Sequence, residues 1–142
     1  MQNDLDKFIK EKGVEFTKNL INMENINEAQ NYLGITFGSE LKEYILEYGY
    51  LAYEYAELYG INSIQLMESD MIKETKRLHE LFQKTANLII IENQGDGDYY
   101  LVDSNDNVYE YISDIDELTD VKMSLFDYIL NRFTEVDSAI GS

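Results

Sequence analysis

One histidine, no cysteine and 28 carboxylates leave this chain few routes to covalent chemistry. A Ser-His-Asp hydrolase needs an imidazole beside its nucleophile. His79, the sole candidate, stands among Lys76, Arg77 and Glu80 and reads as a solvated helical histidine. Without cysteine, thiolate zinc sites and disulfides are impossible. The segment Gly95-Asp96-Gly97-Asp98 has the glycines of a phosphate loop, yet it would aim carboxylates at the phosphate and leads into a strand. Asp103, Asn105, Asn107 and Asp114 imitate the first, third, fifth and twelfth ligands of a calcium loop. The glycine that such a loop needs at its sixth position is Val108, and the flanks are strand-like, so a hairpin turn is the better reading. Glu54, Glu57, Glu92, Asp96 and Asp98 could converge as a glycosidase pair, but so acidic a chain pairs carboxylates by accident. The expectation is no catalytic residue, no metal and no cofactor.

What remains is surface. Between Lys84 and Lys122 stand ten carboxylates and no Lys or Arg, and a second such stretch, from Glu43 to Ile72, holds six. These two stretches concentrate the net charge of −17. Tyr48, Tyr50, Tyr53, Tyr55 and Tyr59 lie in the second stretch, and Tyr99, Tyr100, Tyr109 and Tyr111 in the first. On a half-buried sheet, alternation sends one of Tyr99 and Tyr100 outward, and one of Tyr109 and Tyr111. An outward tyrosine ringed by carboxylates suits a Lys- or Arg-rich protein. The candidate partner-binding residues are therefore Tyr53, Glu54, Tyr55 and Glu57 in one stretch, with Asp96, Asp98, Tyr99, Asp103, Tyr109, Glu110 and Asp114 in the other. The same charge disfavours direct binding to nucleic acid or to an anionic membrane.

Several elements must position these groups. Leu5, Phe8 and Ile9 mark a helix over residues 4–12 that Gly13 stops; Asn27 caps a second helix that ends at Gly34; Ser39 caps a third, carrying Leu41, Tyr44, Ile45 and Tyr48 and closed by Gly49. From Tyr50 to Tyr59 the period is two, giving a strand or bent strand pair. Residues 69–84 return to helical spacing. Leu88 to Ile91 is apolar on both faces, as in a central strand, and Asp98–Asp103 pairs with Val108–Ile112 through an Asn- and Asp-rich turn. Met123, Phe126, Ile129, Leu130 and Phe133 form a closing helix, with a frayed tail from Ser138 to Ser142. This order predicts an α+β fold, an antiparallel sheet of about five or six strands covered by helices on one face.

The length and a hydrophobic share of 44% fit one domain over residues 1–142 with its own core. Absence of cysteine, of a basic leader and of a membrane-length apolar run fits a cytoplasmic protein, a monomer or weak dimer.

The stretch from Leu33 to Gly49, LGITFGSELKEYILEYG, resembles the signature segment of the SUKH superfamily, which includes the yeast cell-wall-synthesis regulators. There a Leu-Gly turn and a short extended piece precede a Glu-Leu-x-x-Phe/Tyr-Leu helix closed by Asn/Tyr-Gly, and an aromatic strand follows. The later order of helix, apolar strand, Gly-Asp-Gly turn, aromatic hairpin and closing helix also agrees, over about residues 25–135. The chain departs from the pattern at Gly38, where the family usually has Pro, at Tyr50, where a second Gly is frequent, and in having no Trp. The resemblance implies a non-catalytic bacterial immunity protein that binds and neutralises a cognate toxin domain, often a nuclease; the acidic aromatic surface adds the expectation that this toxin is basic, a nuclease or another toxin acting on nucleic acid. The alternative it leaves is a regulatory interaction module for a non-toxin protein.

Overall fold

The computed structural model describes residues 2–17 and 20–141. Helix α1 (Gln2–Lys12) buries Leu5 and Ile9, one turn apart, and keeps Lys7 and Lys10 outside. Glu15 then exchanges two backbone hydrogen bonds with Ala52, extending the sheet by one bridge. Helix α2 (Met23–Leu33) starts earlier than expected. Asn22 accepts from the Asn25 amide and the Asn25 side chain returns the bond, so the capping residue is Asn22 and Asn27 lies inside the helix. A carboxamide at the third position closes this box, where Glu or Gln is the usual signal.

Helix α3 (Ser39–Tyr48) buries Leu41, Tyr44, Ile45 and Tyr48. Its cap is Gly38 and not Ser39, and the capping oxygen comes from a distant turn. Strands β1 (Leu51–Tyr53) and β2 (Ala56–Leu58) form a hairpin, the bent pair that the alternation suggested, turning at Glu54 and Tyr55. Helix α4 (Asp70–Leu81) buries Met71, Ile72, Thr75 and Leu78. Half-buried His79 places Nε2 2.8 Å from the Leu88 carbonyl; an oxygen there only accepts, so Nε2–H donates, and the histidine is a structural tie instead of a solvated group.

Strands β3 (Ile89–Asn93), β4 (Asp98–Val102), β5 (Asn107–Ile112) and β6 (Glu117–Ser124) make an antiparallel sheet in that order. Among the described residues, six strands thus lie in two sheets, not one. The Tyr59 amide bonds the Ile91 carbonyl at 2.7 Å, so the hairpin abuts β3, which edges its own sheet. Strand β6 escaped the sequence reading because it is a polar edge: none of its residues is fully buried, and half-buried Leu118, Val121 and Met123 do not alternate regularly. Met123 belongs to β6, and helix α5 (Leu125–Ile140) begins after Ser124, whose Oγ accepts from the Asp127 amide. The helix continues to Ile140 where fraying was expected, since Val136 is buried and Asp137 is held by Tyr53 and Lys12; Ser142 lies outside the described residues.

Helices cover both faces of the sheet, not one. Ile89, Ile91, Val102 and Val108 join the main core with Phe126, Ile129 and Phe133 of α5. Ile90, Tyr99, Leu101 and Tyr111 form a second core under Leu78 and Phe82. Strands apolar on both sides demand two covers. Among the described residues, no helix is long and apolar enough to cross a membrane.

Candidate functional site

Pairing across the sheet decides which acids share a face. Asp98 lies opposite Ile112, and Ile112 opposite Glu117; Tyr100 lies opposite Glu110, and Glu110 opposite Thr119. Residues directly opposite point the same way, so these two rows form one patch on the α5 side, with Tyr100 at the edge of the helix. At the end of the patch the Ser113 amide bonds the Gly97 carbonyl, bringing Asp114 beside the turn that carries Asp96.

The patch continues under α5. Tyr100 stacks on Tyr128, ring centroids 5.1 Å apart. The Tyr128 hydroxyl donates to Glu92 at 2.5 Å, and Arg132 Nε donates to both Glu92 oxygens, at 2.9 and 3.1 Å. Arg132 in turn lies 5.7 Å from the ring of Tyr55, at the tip of the β1–β2 hairpin. Tyr128 and Arg132 are four apart, hence on one helix face. A cleft of about 250 Å³ opens here, with Gln94, Tyr100, Tyr128, Arg132 and Glu135 in its wall. A β-bulge between Ile90 and Glu92 makes this possible: it interrupts the alternation, so Glu92 joins Ile89 and Ile91 on the α5 side.

Electrostatics follow from this packing. Burial, then the neighbouring Glu110, push the Asp98 carboxyl up to about 6. Asp98 Oδ1 has no hydrogen-bond donor among the described residues, and two carboxylates can share a bond only when one is protonated. The pair therefore holds a proton below about pH 6, which a cation seated there would displace. Burial, Asp98 and Glu110 likewise raise the Tyr100 hydroxyl, which stays protonated and donates to Glu110 at 3.1 Å.

The structure thus joins Tyr55 to Asp98 and Glu110, with Asp96 and Asp114 at the patch end and Glu54 beside Tyr55 on the hairpin tip. Other expected members fall elsewhere. Tyr53 and Tyr99 are each only 8% exposed: Tyr53 packs on Phe8 and Phe133 and donates to Asp137, while Tyr99 lies under α4 against Phe82. Both leave the surface set, because β1 and β4 are covered on those sides. Tyr109 pairs with Leu101 on the α4 side, and its hydroxyl donates to Asp103. The Asp103 carboxylate also accepts from the Asn105 and Asn107 amides, so it builds the turn. Asp114 sits a whole strand away from it, roughly 20 Å by strand rise. Glu57 faces a separate cleft with Glu15, Tyr50 and Asp70. Sequence reasoning left Tyr99 and Tyr100 as alternatives and selected Tyr99, which is the buried one; it missed Glu117, Tyr128 and Arg132 as members and weighed Glu92 only as a possible acid; the four-residue spacing on α5 was a local clue, but the bulge was not.

Nothing in this arrangement pairs a nucleophile with a base. Carboxylates and aromatic rings so arranged can receive cationic and aromatic groups. Among the described residues, no three His, Asp or Glu side chains are placed to hold a metal ion.

The fold is similar to that in a crystal structure of a protein from Pseudomonas syringae pv. tomato, with a TM-score of 0.61 and 19% identity over 76% of this chain and 81% of that one. Likeness at that identity speaks to fold alone. No curated protein matches the sequence. A family model described as SUKH_5, SMI1-KNR4 cell-wall, matches residues 1–134. Because that match runs from α1 into α5 and takes in every strand of the α+β fold, the chain belongs to the SUKH family.

Proposed function

We propose that this chain is an immunity protein that binds one cognate toxin domain, a basic nuclease or another toxin acting on nucleic acid, and blocks its cleft by occupancy. SUKH family members are immunity proteins of polymorphic toxin systems. The observation that carries the reading further is the continuous face from Tyr55 through Arg132 and Tyr100 to Asp98 and Glu110, acidic and aromatic at once. Such a face complements a cleft built to hold phosphates, and its field would speed capture by tens to a thousandfold at low salt. Glu54, Tyr55, Asp96, Asp98, Tyr100, Glu110, Asp114 and Glu117 are the contact residues of this reading. The protein acts in the cytoplasm as a monomer or weak dimer.

The test is co-expression with the toxin-like gene next to its own. Restored growth and co-purification of the two proteins support immunity. Failure of both, or an isolated locus, would favour the regulatory module.

A further inference from the structure

A second surface lies where α2 meets the segment leading into α4. Residues 64–68 cross the end of α2 and leave Ile64 65% and Met67 52% exposed. Together with Tyr32 and the floor residue Leu66 they line a groove of about 730 Å³. Singly exposed apolar residues are common, but a contiguous groove with Tyr and Met at its centre has the composition of an interface core. Its rim is acidic on both sides. Glu28 stands on the α2 side with Glu24 one turn before it, and Glu68 stands on the loop side. Helix α2 carries no basic residue, and Lys76 of α4 lies 4.9 Å from the centre of the Tyr32 ring.

The charges decide the occupant. A second copy would bring its own Glu24, Glu28 and Glu68 against the same three groups, and like charges across an interface repel. An apolar segment flanked by Lys or Arg satisfies both the floor and the rim. We infer that the groove of Tyr32, Ile64, Leu66 and Met67 is a docking site for an apolar segment of a basic protein, and that it binds independently of the acidic sheet face. This inference does not rest on the toxin reading.

A labelled amphipathic peptide of Leu and Lys, and its Leu and Glu counterpart, serve as probes by fluorescence anisotropy. The native protein is expected to bind the Leu/Lys peptide saturably and the Leu/Glu peptide not at all. In Ile64→Asp/Met67→Asp the affinity should fall at least about tenfold, since two core anchors are lost. That variant has gained two negative charges, so attraction by charge alone would tighten binding. Ile64→Ser/Met67→Ser should lose affinity similarly, and both variants should unfold at the native temperature because the replaced side chains are more than half exposed. Asp98→Asn/Glu110→Gln, on the other face, should stay within about threefold of the native affinity. Unchanged or tighter binding to Ile64→Asp/Met67→Asp would overturn the inference. So would equal binding of the Leu/Glu peptide, or a native dimer in sedimentation that the Ile64 and Met67 substitutions dissolve.

Discussion

The carboxylate of Asp106 fills the space that a β-carbon on Gly38 would need: that carbon would lie 2.3 Å from Asp106 Oδ1. From there Asp106 accepts the Glu40 and Leu41 amides at 3.0 Å each, the two bonds that a capping side chain at position 38 would normally make. The β4–β5 turn therefore caps α3 from 65 residues away, and Gly38 is what admits it. Proline, which the family resemblance expects at 38, would meet the same carboxylate.

Gly38→Ala is expected to cost about 1–3 kcal/mol by overpacking. Asp106→Ala should cost about 2 kcal/mol, for two bonds to buried amides. The double variant should cost clearly less than the sum, because removing the carboxylate makes room for the new methyl. Urea unfolding of the four proteins measures this coupling; simple additivity would mean that the two positions do not compete for space.

Glu92 is 2% exposed and its charge is balanced by Arg132. Glu92→Gln should cost about 3 kcal/mol, since it strands a largely buried guanidinium. Tyr128→Phe, which removes one donor to a buried carboxylate, should cost about 1–2 kcal/mol. Denaturant unfolding at pH 7 checks both. A neutral Glu92→Gln would show that water replaces the carboxylate.

Asp98 carries a stability cost that depends on pH. Its ordinary value is 3.8 and its folded value about 6, so the native state holds its proton longer than the unfolded chain does. The native fold loses stability from this group as pH rises from about 4 to above 6, and regains it on acidification. Asp98→Asn should be more stable than the native protein at pH 7 by on the order of 1 kcal/mol, less than the full shift because water screens the half-exposed pair. The advantage should vanish near pH 4. Stability curves for the two proteins across that range should converge at the acid end; parallel curves would contradict the shared proton.

The same pair should make toxin binding sensitive to acid. A Lys or Arg seated between Asp98 and Glu110 displaces their proton, so affinity should fall by up to about tenfold per pH unit below 6. Asp98→Asn/Glu110→Gln should flatten this profile and lower the salt dependence of the association rate. Surface-capture kinetics at several pH values and ionic strengths read both; an unaltered profile in the variant would place the contact elsewhere.

Asp103 serves as a control for acidity in itself. Its carboxylate is occupied by Asn105, Asn107 and Tyr109. Asp103→Ala should therefore cost about 1–2 kcal/mol of stability and leave toxin affinity unchanged once salt-screened.

Much of this was legible in the chain itself. Apolar spacing placed five helices and the β4–β5 hairpin, because burial imposes its period on the sequence wherever one face meets a core. The charge deserts between Lys84 and Lys122, and from Glu43 to Ile72, marked the stretches that carry the acidic face. The polar edge strand β6 left no such trace, and the Asn22–Asn25 cap used an unusual pair. Only the tertiary structure could decide which acids share a face and which serve the fold. Strand register, the bulge before Glu92 and the reach of α5 brought Asp98, Glu110, Tyr100 and Tyr55 together, while α4 buried Tyr99 and the hairpin turn consumed Asp103 and Asp106. A carboxylate looks the same in sequence whether it caps a helix, balances an arginine or faces water; its role is set by neighbours that arrive from dozens of residues away.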